Sequence, residues 1–372
     1  MITGTNTDAV PSSDNASEEG LDQPLGTDTA IQANSDRSDR STEYSSATAS
    51  TVDSASSLAT TRSLKVIAAE ALLKEPLDTI RERASRWRDD LPQHIARATY
   101  DESMYRHTHD RFFPFEPLAS CQNVSEIGRN PKTPAGEFDD DSKLVCGLDT
   151  PVFQEKGCII YSIGSNNEFG FEEELLKQTA CDIHTFDCTG PAERFNAKPD
   201  NPRSHFHHLC LSHEYVPAPP PDKCKQSKQI CGEMMTLSQL QKKLNHTSLA
   251  LLKIDVEGFE IPLFRSWWVG AEAASMPTQV LVEVHYYTFV PFASIIQNKW
   301  MKKYNPDKSA DNRKLIQNGA ELVTLNQQLL EMGYVVVAKD NNSLCQHCIE
   351  AVLIRVPPKE LLEKKHYHLD RK

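Results

Sequence analysis

The string Leu252-Lys253-Ile254-Asp255-Val256-Glu257-Gly258-Phe259-Glu260 sets carboxylates at the end of an apolar run that begins at Leu249. Carboxylates at the end of a buried strand are costly unless they are paired or functional. Gly258 permits the tight turn that would place them at the mouth of the fold. The chemistry open to such a set is proton transfer or the holding of a cation. A second string, Ser162-Ile163-Gly164-Ser165-Asn166-Asn167-Glu168-Phe169-Gly170, offers Gly164 for close backbone approach, and Asn166 and Asn167 tolerate left-handed conformations. Asp187 stands 23 residues after Gly164, a spacing that suits a carboxylate receiving ribose hydroxyls in a nucleotide-binding βαβ unit. Glu283-Val284-His285 closes another apolar run. His285 is the candidate general base best matched to neutral pH, with Asp255 or Glu283 to orient it or serve in its place. The plain alternative for His285 is a satisfied histidine at a strand end.

These residues need elements that bring them together. Cys158 to Ile163 reads as a buried strand, followed by a turn (Gly164 to Gly170) and a helix (Phe171 to Thr179). Further strands are predicted at Asp182 to Phe186, Phe206 to Leu211, Leu249 to Val256 and Gln279 to His285. A helix on Leu237, Leu240 and Leu244 and another over Ala320 to Met332 intervene. Tyr334 to Lys339 and Ile349 to Val356 close the pattern around a polar loop. Alternation of strand and helix predicts an α/β fold with a mainly parallel sheet covered on both faces. The last two strands, joined by a loop, predict one antiparallel pair at an edge. In such sheets ligands sit beyond the carboxyl ends of the strands, near the switch in strand order, where Gly164, Asp187, Asp255 and His285 all fall.

Charge chooses among nucleotides. A pyrophosphate needs a helix N-terminus free of competing anions. Here Glu168 and Glu172 to Glu174 crowd that terminus and no G-x-G-x-x-G occurs, so a sulfonium cofactor such as S-adenosylmethionine suits the loop better than NAD. For most of these glutamates the simpler reading is a solvated face that complements the helix dipole.

The fourth-strand string resembles the K-I-D-V-E-G-x-E signature of FkbM-type S-adenosylmethionine-dependent methyltransferases. The span 112–357 is also similar to related eukaryotic methyltransferase-like proteins, with a Cys-bracketed entry (Cys121 to Cys146), Ile160-Tyr161-Ser162-Ile163-Gly164, and Glu283-Val284-His285. The resemblance implies the seven-stranded Rossmann-like methyltransferase fold with the last strand antiparallel. It implies that Gly164, Ser165 and Asn166 touch the methionine part of the cofactor, that Asp187 holds its ribose and that Asp255 lines the methyl-transfer pocket. It also implies a Cys121–Cys146 disulfide, should a secretory signal precede the chain, and a sugar or small-molecule hydroxyl as acceptor. The first loop lacks the acidic-x-Gly-x-Gly-x-Gly of other methyltransferases, which keeps a binding or scaffold protein without turnover as the rival, and an NAD-dependent enzyme as the more distant one.

The 372 residues carry a net charge of −12, which argues against a general nucleic-acid binder. No apolar run is long enough to span a membrane. Residues 1–62 hold ten acidic residues against Arg37, Arg40 and Arg62, with Tyr44 as their one aromatic. That composition predicts a disordered tail. A helical connector over 63–111 and a charged end over 358–372 flank the methyltransferase-like span. Ten cysteines and four Asn-x-Ser/Thr sequons lean toward the secretory pathway, whereas the start at Met1 has no signal-peptide pattern and leans toward the cytoplasm. No metal site is expected. Cys345-Gln346-His347-Cys348 is a lone C-x-x-C, and His205, His207 and His208 read as strand residues facing core and surface by turns.

Overall fold

Both faces of a central sheet are apolar, because successive residues of each inner strand enter opposite cores. The computed structural model describes residues 65–100, 109–134, 139, 141–224, 229–256, 258–270, 276–285, 319–342, 345 and 348–362. The tail expected over 1–62 and Glu257 of the fourth-strand string lie outside them.

In chain order the elements are helices α1 (65–72), α2 (Leu77–Asp89) and α3 (Leu91–Tyr100), then strands β1 (Val124–Ile127) and β2 (Lys143–Cys146). Helix α4 (Pro151–Gln154), β3 (Ile159–Ile163), α5 (Gly170–Gln178), β4 (Asp182–Phe186), β5 (Ser204–His207), β6 (Leu209–Leu211) and β7 (Glu233–Met235) follow. The chain continues through α6 (Leu237–Leu244), β8 (Leu251–Ile254), α7 (Glu260–Gly270) and β9 (Gln279–His285). It closes with α8 (Gly319–Glu331), β10 (Tyr334–Asn341), β11 (Cys348–Arg355) and α9 (Pro358–Leu361).

The seven-stranded sheet has the order β10-β11-β9-β8-β3-β4-β5. Pairings β9-β8, β8-β3, β3-β4 and β4-β5 are parallel, while β11 runs antiparallel to both β9 and β10. The reversed strand therefore sits one place in from the edge. It carries no helix before it, and a loop can return the chain only in the opposite sense.

Ile160, Ile183, Leu251 and Leu281 enter one core with α1 and α2, to which Leu72, Ile80 and Ala84 contribute. Tyr161, Phe186, Leu252, Val280 and Val282 enter the other, with Leu240, Phe264 and Leu325 from α6, α7 and α8. Each such side chain, fully buried, contributes about 1.5–3 kcal/mol. Trp267 lies edge-on to Phe264 inside this second core, and Trp268 Nε1 donates to Glu331 Oε2 at 2.7 Å, so the tryptophan pair docks α7 on α8. The packed body continues through α9, whose Leu361 is buried beside Leu362.

One predicted strand is two. The segment Phe206 to Leu211 leaves the large sheet after His207, and β6 pairs in parallel with β7 in a separate small sheet. Gly232 explains the close approach: a Cβ there would run into the His208 carbonyl oxygen. Ten cysteines form five disulfides: Cys121–Cys146, Cys158–Cys181, Cys188–Cys210, Cys224–Cys231 and Cys345–Cys348. Among the described residues no helix is long and apolar enough to cross a membrane.

Candidate active site

The chain runs from β3 outward to β4 and β5, then returns to β8 on the other side of β3, so the switch in strand order falls between β3 and β8. Gly164 closes β3 there at φ +83°, and a Cβ would collide with the Asp255 carbonyl oxygen. Only glycine combines that dihedral with that contact. Gly164 N donates to Phe186 O at 2.9 Å and Asp255 N to Ile163 O at 3.2 Å, which knits the ends of β4, β3 and β8 into one platform. Asn166 (φ 48°) and Asn167 (φ 67°) then carry the loop to α5, the left-handed pair anticipated from their side chains.

Asp187 does not stand open toward a ribose. Its Oδ2 accepts from Ser165 N at 3.0 Å and Asn166 N at 2.8 Å, and its Oδ1 accepts from Thr189 N at 2.8 Å and Thr189 Oγ1 at 2.6 Å. An ionised carboxylate offers about four lone-pair sites, and all are taken. The carboxylate at the spacing expected of a ribose ligand clamps Ser165 and Asn166 in place.

Beyond the ends of β8 and β9 lies a buried ionic cluster. Lys253 Nζ donates to Gly164 O at 2.6 Å and lies 3.8 Å from Asp255 Oδ2. Lys253 also acts on Glu172, whose carboxyl burial pushes up against the pull of that lysine. His285 Nδ1 donates to Glu260 Oε1 at 3.1 Å, and its Nε2 lies 3.9 Å from Glu283 Oε1. Asn342 Nδ2 donates to Glu283 Oε1 at 2.9 Å. From the layer above, Lys143 on β2 reaches Glu350 on β11 at 2.5 Å.

Protonation sorts these groups. Burial alone would lower the His285 pKa, but Glu260, then Glu283 and Asp255, override it and raise it well above the ordinary value. The imidazole is 6% exposed, and this shift favours its protonated form. That shift disfavours the general-base role expected of His285. Burial and the Asp255 charge push Glu283 up to about 9, so it is neutral at pH 7 and donates to Asp255 rather than acting as a base. Burial pushes Asp255 up as well, yet Lys253, Lys143, His285 and the Glu283 hydrogen bond outweigh it and hold Asp255 below the ordinary carboxylate range. With its side chain 25% exposed, Asp255 is the ionised carboxylate of the cluster that solvent can reach.

The structure brings Gly164, Asp255, Glu283 and His285 together, and sequence reading missed what controls them. Glu260 stood in the quoted string with no role, because its contact with His285 depends on where α7 docks. Lys253 and Glu350 had a signal: each is a charge inside an apolar strand, and such charges are rarely buried without a partner.

The histidines of β5 belong to a second cluster away from these strand ends. Asn245, left-handed at φ 58°, ends α6 and delivers His246, whose Nδ1 is hydrogen-bonded with the Tyr161 hydroxyl at 2.8 Å. His184 Nδ1 and His207 Nε2 are 2.9 Å apart, and the His205 ring stacks on His184. Burial, with the neighbouring imidazoles, presses His184 down to about 3 and His207 to about 4. The unfolded chain binds these protons near pH 6.5, so folding stability is complete above that pH and falls as pH drops through 6.5 toward the folded values. Discounted for partial solvent screening, the loss for the pair is about 1–2 kcal/mol by about pH 5. Urea unfolding at about pH 7.5 and pH 5 measures it, and His184→Phe should flatten the difference. A variant with the parent's pH dependence would contradict this origin.

A methyltransferase domain family model matches residues 77–355. No curated protein matches the chain. Among solved structures, a fibrillarin pre-rRNA processing protein of Methanococcus jannaschii is similar at 8% identity over 63% of this chain and 95% of its own, with a TM-score of 0.31. A putative S-adenosylmethionine-dependent methyltransferase of Listeria monocytogenes shares 9% identity over 56% of this chain and 96% of its own, with a TM-score of 0.28. Aeropyrum pernix fibrillarin with natively bound S-adenosyl-L-methionine shares 7% over 63% and 90%, with a TM-score of 0.28.

Proposed function

We infer, since the chain belongs to the methyltransferase domain family, that it moves a methyl group from S-adenosylmethionine to a hydroxyl oxygen of a sugar or other small molecule. The observation that carries this reading is the ionised, solvent-reachable Asp255 against the Gly164 turn at the switch in strand order. Its negative charge fits the sulfonium end of the cofactor, and the Gly164 turn with Ser165 and Asn166 would receive the methionine part. At the ribose end the fit is poorer, because Asp187 is saturated. When bound, S-adenosylmethionine supplies an electrophilic methyl carbon.

Asp255 takes the proton of the acceptor hydroxyl. Lys253 fixes its position from one side, and the neutral Glu283 donates to it from the other. The Lys253 to Glu260 string keeps its resemblance to FkbM-type enzymes, which methylate hydroxyls, and this supports the acceptor class. Five disulfides support an oxidising compartment for the natural protein.

The saturated Asp187 favours one rival, a binding or scaffold protein without turnover. Mass spectrometry of hydroxyl, amine and carboxylate acceptors incubated with the full chain and S-adenosylmethionine separates the two. Methylation of a hydroxyl acceptor is expected. Transfer confined to nitrogen would overturn the acceptor class, and cofactor binding with no transfer to any acceptor would favour the scaffold.

A further inference from the structure

Cys348 on β11 sits directly opposite His285 on β9, and Glu283 lies two residues back along the same face of β9. One ligand atom from each of the three lies within 4.8 Å of the others, and all three residues are buried. The imidazole is oriented as well as near. Nδ1 is bonded to Glu260, which places Nε2 on the side of Glu283. Metal-bound histidines are held in this way, with the second nitrogen donating to a carboxylate that fixes the ring. Asn342 links Glu283 to the other end of the disulfide: its Nδ2 holds Glu283, and its Oδ1 accepts from Cys345 N at 2.9 Å.

We propose that Cys348, His285 and Glu283 form a binding site for Zn2+ or a like divalent ion, available when the Cys345–Cys348 disulfide is opened. That disulfide closes a separation of 3 residues, against 25, 23, 22 and 7 for the others. Stabilisation by a cross-link grows with the loop it closes, so the fold depends least on this one. A dithiol reductant gives the bond two electrons and two protons, yielding two thiols and its own disulfide. The metal ion then displaces the Cys348 thiol proton, the Nε2 proton of His285 and the carboxyl proton of Glu283, all three of which pass to solvent. Thiolate, imidazole and carboxylate form the donor set of a tetrahedral zinc site with a fourth position to fill, and Cys345, three residues from Cys348, is within reach of it. The site adjoins Asp255 through Glu283, so its occupancy alters the charge beside the acceptor mouth.

The test uses the full chain and Co2+ as a spectroscopic probe. Cys345→Ser frees Cys348 without any reductant and leaves the other four disulfides in place. This variant is expected to bind a single cobalt ion with thiolate-to-cobalt absorption in the near ultraviolet, whereas the oxidised parent is expected to show none. Adding Cys348→Ser or His285→Gln should abolish the band, and Glu260→Gln should weaken binding about 10–100-fold by loosening the ring. Mild reduction of the parent followed by Co2+ provides the same reading without a substitution. A Cys345→Ser chain with the parent's circular dichroism and no thiolate–cobalt band would overturn the proposal. A band that survives His285→Gln at undiminished affinity would overturn it equally.

Discussion

Asp255→Asn is expected to slow methyl transfer by about 10²–10⁴-fold while the fold and the affinity for neutral S-adenosylhomocysteine stay near those of the parent. The magnitude is that of removing a positioned general base. The substitution keeps the side-chain shape, and Lys253 retains Gly164 O and Glu172 as partners, so collapse of the platform is not the expected cause. Binding of cationic S-adenosylmethionine should weaken by about tenfold, the worth of one charge-assisted contact. His285→Gln provides the contrast. Losing the imidazole whose protonated form Glu260 favours moves the pH profile, with a smaller loss of rate. Rates measured with an acceptor that supports turnover decide the matter. A His285 variant slower than the Asp255 variant would return the base role to the histidine.

Lys143→Met is expected to destabilise the chain by about 3–5 kcal/mol, because it leaves the Glu350 carboxylate buried without its cation. Lys143 and Glu350 side chains are 3% and 8% exposed, and they join β2 to β11 at 2.5 Å. Burial lowers the Lys143 pKa, but Glu350, Asp255 and Glu283 outweigh it and raise it above the ordinary lysine value, while burial pushes the Glu350 carboxyl up against the pull of Lys143. Replacing both partners with apolar groups removes the penalty along with the attraction. Lys143→Met with Glu350→Leu should therefore recover most of the loss, to within about 1 kcal/mol of the parent. Urea unfolding of the parent, both single variants and the double variant, all with disulfides intact, gives the full cycle. A double variant as unstable as Lys143→Met alone would mean that the lysine acts through packing rather than charge.

The sheet was legible because its strands are apolar on both faces, and Cys158 to Ile163, Asp182 to Phe186 and Gln279 to His285 stand as short runs between helical stretches. The antiparallel pair at the edge was legible from the missing helix between β10 and β11. The break at His207 was not, since nothing in Phe206 to Leu211 marks where one strand leaves the sheet. That depends on Gly232, which packs from a distant part of the chain. Gly164 and Asp255 were legible as strand-end residues. Asp187 was legible as a position but not as a role, since a carboxylate that clamps its own loop has the same spacing as one that waits for a ribose. His285 was likewise legible as a position. Its ordinary pKa suggests a base, and only the docking of α7 shows that Glu260 favours its protonated form.

Isothermal titration of S-adenosylmethionine and S-adenosylhomocysteine into the full chain and into Asp255→Asn tests the central claim most directly, and it needs no acceptor. The account predicts that both ligands bind the parent, and that Asp255→Asn loses affinity for the sulfonium while keeping it for the neutral thioether. Absence of binding to the folded parent, or an equal loss for both ligands, would contradict a methyltransferase site built on the Asp255 charge.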